Sequence, residues 1–143
     1  MTDVLPAAPA VDVDEASEWL DVCGVEAVTA DRGVAALVHG VPVAIFRLAA
    51  IEAGAIGEAS TEQWFCVDHV DPRTGAPVMA RGLVGSTTLD GIEVPTIASP
   101  LHKQRYDLRT GAGLGDETTS LRAWPVTVFD GRVLVAASEM SPA

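Results

Sequence analysis

The sequence predicts a small all-β domain made of short antiparallel hairpins, on three observations. From Trp19 onward the apolar residues recur with a period of two rather than 3.6. β-Branched residues fill those runs, and turns rich in Gly, Pro and Asp separate them at short intervals. A chain of 143 residues, 48% of them hydrophobic, is long enough to bury one core and too apolar to stay disordered.

Taken in order, residues 1–16 are Ala, Pro and acid without periodicity. They predict a flexible acidic N-terminal tail ahead of a single domain over residues 17–143. "WLDVCGV" (19–25) is strand-like. "GVAALVHGVPVAIFRL" (33–48) is two β-branched-rich runs joined at His39-Gly40, a hairpin. "LAAIEAGAIGEAS" (48–60) is helix-compatible through its alanines, and its two glycines weaken it. "QWFCV", "TIAS" and "RYDL" read as short strands. "WPVTVFDGRVLVA" (124–136) reads as a hairpin whose Asp130-Gly131 turn supplies two residues at positive φ. No internal repeat is evident.

Charge narrows the function. Twenty acidic against nine basic residues give a net charge of −11, which repels nucleic acid and anionic membrane. The most apolar run, 34–51, is broken by His39, Gly40, Pro42 and Arg47, so it is no transmembrane helix. The N-terminus lacks the basic and compact apolar regions of a signal peptide, so a cytoplasmic location is expected. Five of the nine cations (Arg73, Arg81, Lys103, Arg105 and Arg109) fall between residues 73 and 109, a local basic face suited to an acidic partner. Cys23 and Cys66 make no disulfide framework and read as buried structural thiols.

Candidate chemistry is sparse. His39 sits in a turn, and His69 and Asp71 flank a strand end before a turn-forming Asp-Pro. Cys66-x-x-His69 is one half of a zinc site at best, and His102 has no Cys or His within five residues. Ser99-Pro100 lacks a nucleophile elbow, and a triad of Ser99, His102 and Asp71 rests on distances that a sequence does not give. "RTGAGLG" (109–115) is followed by acid rather than by a helix and reads as a turn.

The order "DHVDPRTGAPVMARGLVG … VPTIASPLHKQRYDLRTGAGLGDE … WPVTVFDGRVLV" closely resembles the small subunit of cytoplasmic NAD(P)H-dependent nitrite reductases, from about Trp19 to Val135. The chain departs from that family between Ala49 and Gln63, where it is longer. The resemblance implies a Rieske-like fold of several small antiparallel sheets. True Rieske proteins hold a [2Fe–2S] cluster with two cysteines and two histidines from two loops. Laid onto this chain, those positions are Asp71, Arg73, Ser99 and His102. Arginine has no lone pair to offer, and a serine hydroxyl and an aspartate replace thiolates poorly. His102 alone keeps a ligand type and reads as a leftover of the fold's ancestry.

The resemblance therefore implies a chain with no cofactor or metal of its own and no catalytic residue. It would assist or stabilise a large subunit carrying FAD, a [4Fe–4S] cluster and sirohaem that reduces nitrite to ammonium. Arg73, Arg81, His102, Lys103 and Arg105 are the expected docking residues. The rival readings are a Rieske-type electron-carrying ferredoxin and a stand-alone binding module without a cluster.

Overall fold

The structure, a computed structural model, describes residues 19–48, 63–115 and 118–139. The expected tail over 1–16 and the helix-compatible stretch beyond Leu48 lie outside these residues. Among the described residues, eleven strands make three antiparallel sheets. The first joins β1 (Trp19–Gly24), β11 (Arg132–Ala136) and β10 (Val126–Phe129) in that order. The second runs β2 (Arg32–Val38), β3 (Val41–Leu48), β4 (Gln63–Asp68) and β9 (Ala123–Trp124). The third runs β5 (Leu83–Leu89), β6 (Ile92–Ala98), β7 (Arg105–Asp107) and β8 (Gly113–Leu114).

The second sheet is the middle layer, and β3 shows why its sequence does not alternate cleanly. Val43 and Ile45 pack with Val38, Cys66, Trp124, Val133 and Val135 toward the first sheet. Ala44, Phe46 and Leu48, pointing the other way, pack with Met79, Ile97, Tyr106 and Leu108 toward the third. A strand covered on both faces is apolar at every position. Arg47 is the exception. Its guanidinium donates to the carbonyls of Val25 (3.1 Å) and Val28 (2.9 Å) and lies 5.4 Å from the Trp64 ring centre.

Among the described residues, three hairpins close on a left-handed residue followed by glycine: His39-Gly40, Asp90-Gly91 and Asp130-Gly131, with φ between 50° and 80° throughout. Two of the three are expected from the sequence. The third, between β5 and β6, is not, because β5 is polar (Gly85, Ser86, Thr87, Thr88) and β6 contains Pro95. Both features suit a strand pair that projects toward solvent. Two loops leave the sheets on the same side of the third sheet. Residues 69–78 run from β4 to a 3-10 turn at Met79–Arg81, and residues 99–104 connect β6 to β7. No helix among the described residues is long and apolar enough to cross a membrane.

Candidate functional site: two loops joined at Asp71

The first loop is an Asp-centred turn. Asp71 accepts the N–H groups of Thr74 (3.3 Å) and Gly75 (2.7 Å) on its carbonyl, and its own N–H donates to the Ala76 carbonyl at 2.8 Å. Its Oδ1 accepts the Arg73 N–H at 2.8 Å, and Thr74 Oγ1 accepts the Ala76 N–H at 3.2 Å. The second loop is a serine turn. Ser99 Oγ accepts the Leu101 N–H at 3.2 Å, the Ser99 carbonyl accepts that of Lys103 at 3.0 Å, and Lys103 adopts φ 65°.

The loops meet at the Asp71 carboxylate, which is fully buried. Ser99 donates its hydroxyl to Oδ2 at 2.6 Å, and His102 Nε2 stands 2.9 Å from the same oxygen. The imidazole contact is electrostatic rather than an aligned hydrogen bond. His102 Nδ1 is buried with no hydrogen-bond partner among the described residues. Burial alone would raise the Asp71 pKa. The Ser99 hydroxyl, the Arg73 amide and the His102 ring outweigh it, so the carboxyl is held below its ordinary range.

Three of the four expected ligand positions (Asp71, Ser99 and His102) are therefore in mutual contact through one carboxylate. His102, read from sequence as a leftover, has a partner. The arrangement differs from a Ser–His–Asp triad, because the serine hydroxyl is directed at the carboxylate and not at the imidazole. Arg73, Arg81, Lys103 and Arg105 are exposed, and His102 is half-buried behind them. His39 is the expected turn residue, at φ 50°. His69 is structural, since its Nδ1 accepts the Ala80 N–H at 3.1 Å. Burial and the nearby Arg81 hold its pKa below the usual histidine value. Cys66 is buried, with its thiol pKa pushed up by burial and by Asp68, whereas Cys23 is half-buried rather than buried.

A short internal repeat corrects the expectation that none exists. Asp71-Pro-Arg-Thr-Gly-Ala76 and Asp107-Leu-Arg-Thr-Gly-Ala112 share five of six residues and fold alike. In the second copy the Thr110 and Gly111 N–H groups donate to the Asp107 carbonyl, and the Asp107 N–H donates to the Ala112 carbonyl at 2.9 Å. The Arg109 N–H reaches Asp107 Oδ1 at 2.8 Å, and Thr110 Oγ1 accepts the Ala112 N–H at 3.2 Å. The copies part at the carboxylate. Asp107 takes the Arg109 guanidinium in a two-pronged pair at 3.0 and 2.7 Å, whereas Asp71 Oδ2 takes Ser99 and His102. The signal was present as the string D-x-R-T-G-A, 36 residues apart.

Residues 18–136 match the family model of the Rieske-like [2Fe–2S] domain. The NADH nitrite reductase small subunit of Escherichia coli K12 is 32% identical over 82% of this chain and 95% of its own length. The chain belongs to the nitrite reductase small-subunit family. A Mycobacterium tuberculosis protein, solved as a candidate NADH-dependent nitrite reductase small subunit, superposes on it with a TM-score of 0.68 at 32% identity. The match covers 87% of this chain and 98% of that one. A segment of the Klebsiella oxytoca nitrite reductase [NAD(P)H] large subunit is 30% identical over 85% of the chain, which spans only 11% of that longer polypeptide.

Whether this family member can hold the cluster of its fold is a question of donors. The positions offer one imidazole, one carboxylate, one hydroxyl and the lone-pair-free Arg73 guanidinium, with the hydroxyl donating to the carboxylate. Cys66 packs into the opposite core cluster, against Val38, Val133 and Trp124, on the far face of β4. Among the described residues no group of three or more His, Cys, Asp or Glu is placed to hold a metal ion. The residues present do not fit a [2Fe–2S] cluster.

Proposed function

We propose that this chain is the cofactor-free small subunit of an assimilatory, cytoplasmic NAD(P)H-dependent nitrite reductase. It assists a large subunit that carries FAD, a [4Fe–4S] cluster and sirohaem and that reduces nitrite to ammonium. The observation that carries this reading is the direct Asp71–Ser99 hydrogen bond at 2.6 Å. Where a Rieske carrier would set thiolates on iron, the two loops are tied to each other, so the chain acts by binding and not by carrying electrons. The Klebsiella large subunit supports the partner: joining a similar segment and a large subunit in one polypeptide makes sense if the two work in contact. The docking face is the loop side, with Arg73, Arg81, Lys103 and Arg105 as exposed contacts and His102 beneath them.

Purification of the full chain with its cognate large subunit tests the reading. A stable complex is expected, together with a small subunit that is colourless and free of iron and acid-labile sulfide when separated. A red-brown small subunit with two irons would establish the ferredoxin reading instead. A colourless chain that never binds the large subunit would establish the stand-alone binding module.

A further inference from the structure

A groove of about 720 Å³ opens beside the loop face, between the second and third sheets. Asp31, Arg32 and Gly33 form one wall, at the start of β2, and Gly82 and Leu83 form the other, at the start of β5, with Arg81 between. Both walls are sheet edges. Among the described residues β2 pairs only with β3, and β5 only with β6. Such edges are templates for one more strand. Since the Asp31, Arg32, Arg81 and Gly82 N–H groups already donate to the Arg47, Thr29, Val78 and Met79 carbonyls, an added strand would pair with the edge residues beyond them.

Two glycines keep the walls bare. A methyl group on Gly33 would press on the Phe46 ring at 2.6 Å and on the Ala80 carbonyl at 3.0 Å, and one on Gly82 would strike the Ala98 carbonyl. Each glycine therefore lets the wall's main chain lie closer to the packed residues behind it than any other residue would. The volume is within the range of small-molecule pockets, about 300–1,000 Å³. Such pockets are apolar and enclosed, however, whereas this groove is flanked by charge and strand edges.

The occupant follows from charge and from one exposed anchor. Arg32 and Arg81 make no ion pair with any other described residue, and they stand on a chain whose net charge is −11. Leu83, 75% exposed, is the most exposed large apolar side chain among the described residues. It lies in register with Ala98, Arg105 and Leu114 across the third sheet, which makes the groove continuous with the basic loop side.

We propose that this groove seats an extended, acid-bearing segment of the large subunit, added as a strand at the β2 or β5 edge, with an apolar residue on Leu83 and carboxylates on Arg32 and Arg81. Strand addition draws affinity from main-chain hydrogen bonds and specificity from alternate side chains. The inference rests on the partner proposed above.

The test uses the full chain and its purified cognate large subunit. Arg32→Glu and Leu83→Asp, both at exposed positions, are made singly, and near-ultraviolet circular dichroism checks the fold. Each should weaken the complex by about tenfold or more, as loss of an interface anchor does. A photo-crosslinking residue placed at position 32 and, separately, at position 83 should capture the same short acidic segment. Wild-type affinity for both variants, or crosslinks from the two positions to different segments, overturns the groove while leaving the subunit reading intact. Failure of the unaltered chain to bind the large subunit overturns both.

Discussion

Asp71 and Asp107 occupy the same turn, so they separate what the turn needs from what the site needs. Both carboxylates cap a backbone N–H two residues on, and both are buried, yet one is neutralised by its own arginine and the other by a neighbouring loop. Replacing Asp71 by Asn turns an acceptor of the Arg73 N–H and the Ser99 hydroxyl, with His102 beside it, into a side chain that must present an amide to the Ser99 hydroxyl or to His102. Unfolding by denaturant should show a loss of about 1–3 kcal/mol for Asp71→Asn, the cost of leaving buried partners unsatisfied. An unchanged midpoint would mean that the two loops are held by something else. The acid limb of stability carries the same signature. The folded Asp71 pKa lies below its ordinary 3.8, so its contribution is complete above that pH and is lost as pH falls through the folded value. His69 acts earlier. Its folded pKa lies below 6.5, so the unfolded chain gains a proton first, and stability should begin to decline as pH drops under 6.5. Thermal melts taken from pH 7 down through the acid limb should show both steps, the upper one absent in His69→Gln and the lower one absent in Asp71→Asn.

Turns decide this fold more than strands do, and they are also where the sequence was most readable. Asp130-Gly131 and His39-Gly40 announce hairpins because few residue pairs accept two successive positive φ values. The central strand β3 is legible as an apolar run. What stays hidden is pairing across long separations. Nothing local in Ser99 or His102 tells that Asp71, 28 residues before the serine, will lie between them. The short β8 and β9 exist only because neighbouring strands offer them an edge. The expected ligand positions were legible one by one, but their contact with each other was not, since it depends on the register of β6 with β7 and on the bend of the 69–78 loop. Gly111 makes the dependence on turns measurable. It holds φ 86°, and an added methyl group would run into the Leu121 carbonyl, which leaves no room for it. Gly111→Ala should cost more than the ~1 kcal/mol of conformational strain alone, seen as a lowered unfolding midpoint. Gly131→Ala, at φ 76° with open space around it, should cost only that strain.

At the scale of the whole molecule, the proposed docking face sets the exposed Arg73, Arg81, Lys103 and Arg105 on a chain of net charge −11, which would polarise it for encounter. Exposed rim charges steer association and make it salt-dependent more than they add affinity. Lys103→Glu with Arg105→Glu should therefore slow association with the large subunit at low salt and flatten its dependence on ionic strength, as stopped-flow mixing would show. Equal rates at low and high salt for both forms would remove the loop face from the interface. The cysteines supply a separate readout. Cys23 is half-buried on the outer sheet, whereas Cys66 is sealed in the middle layer between Trp124 and Val133, with its thiol held protonated by burial. A thiol reagent should therefore label position 23 in the native protein and reach position 66 only when the sheets come apart. Unmodified, this chain already contains a clock for its own opening, and slower labelling of Cys66 on adding the large subunit would measure how firmly the partner holds the fold shut.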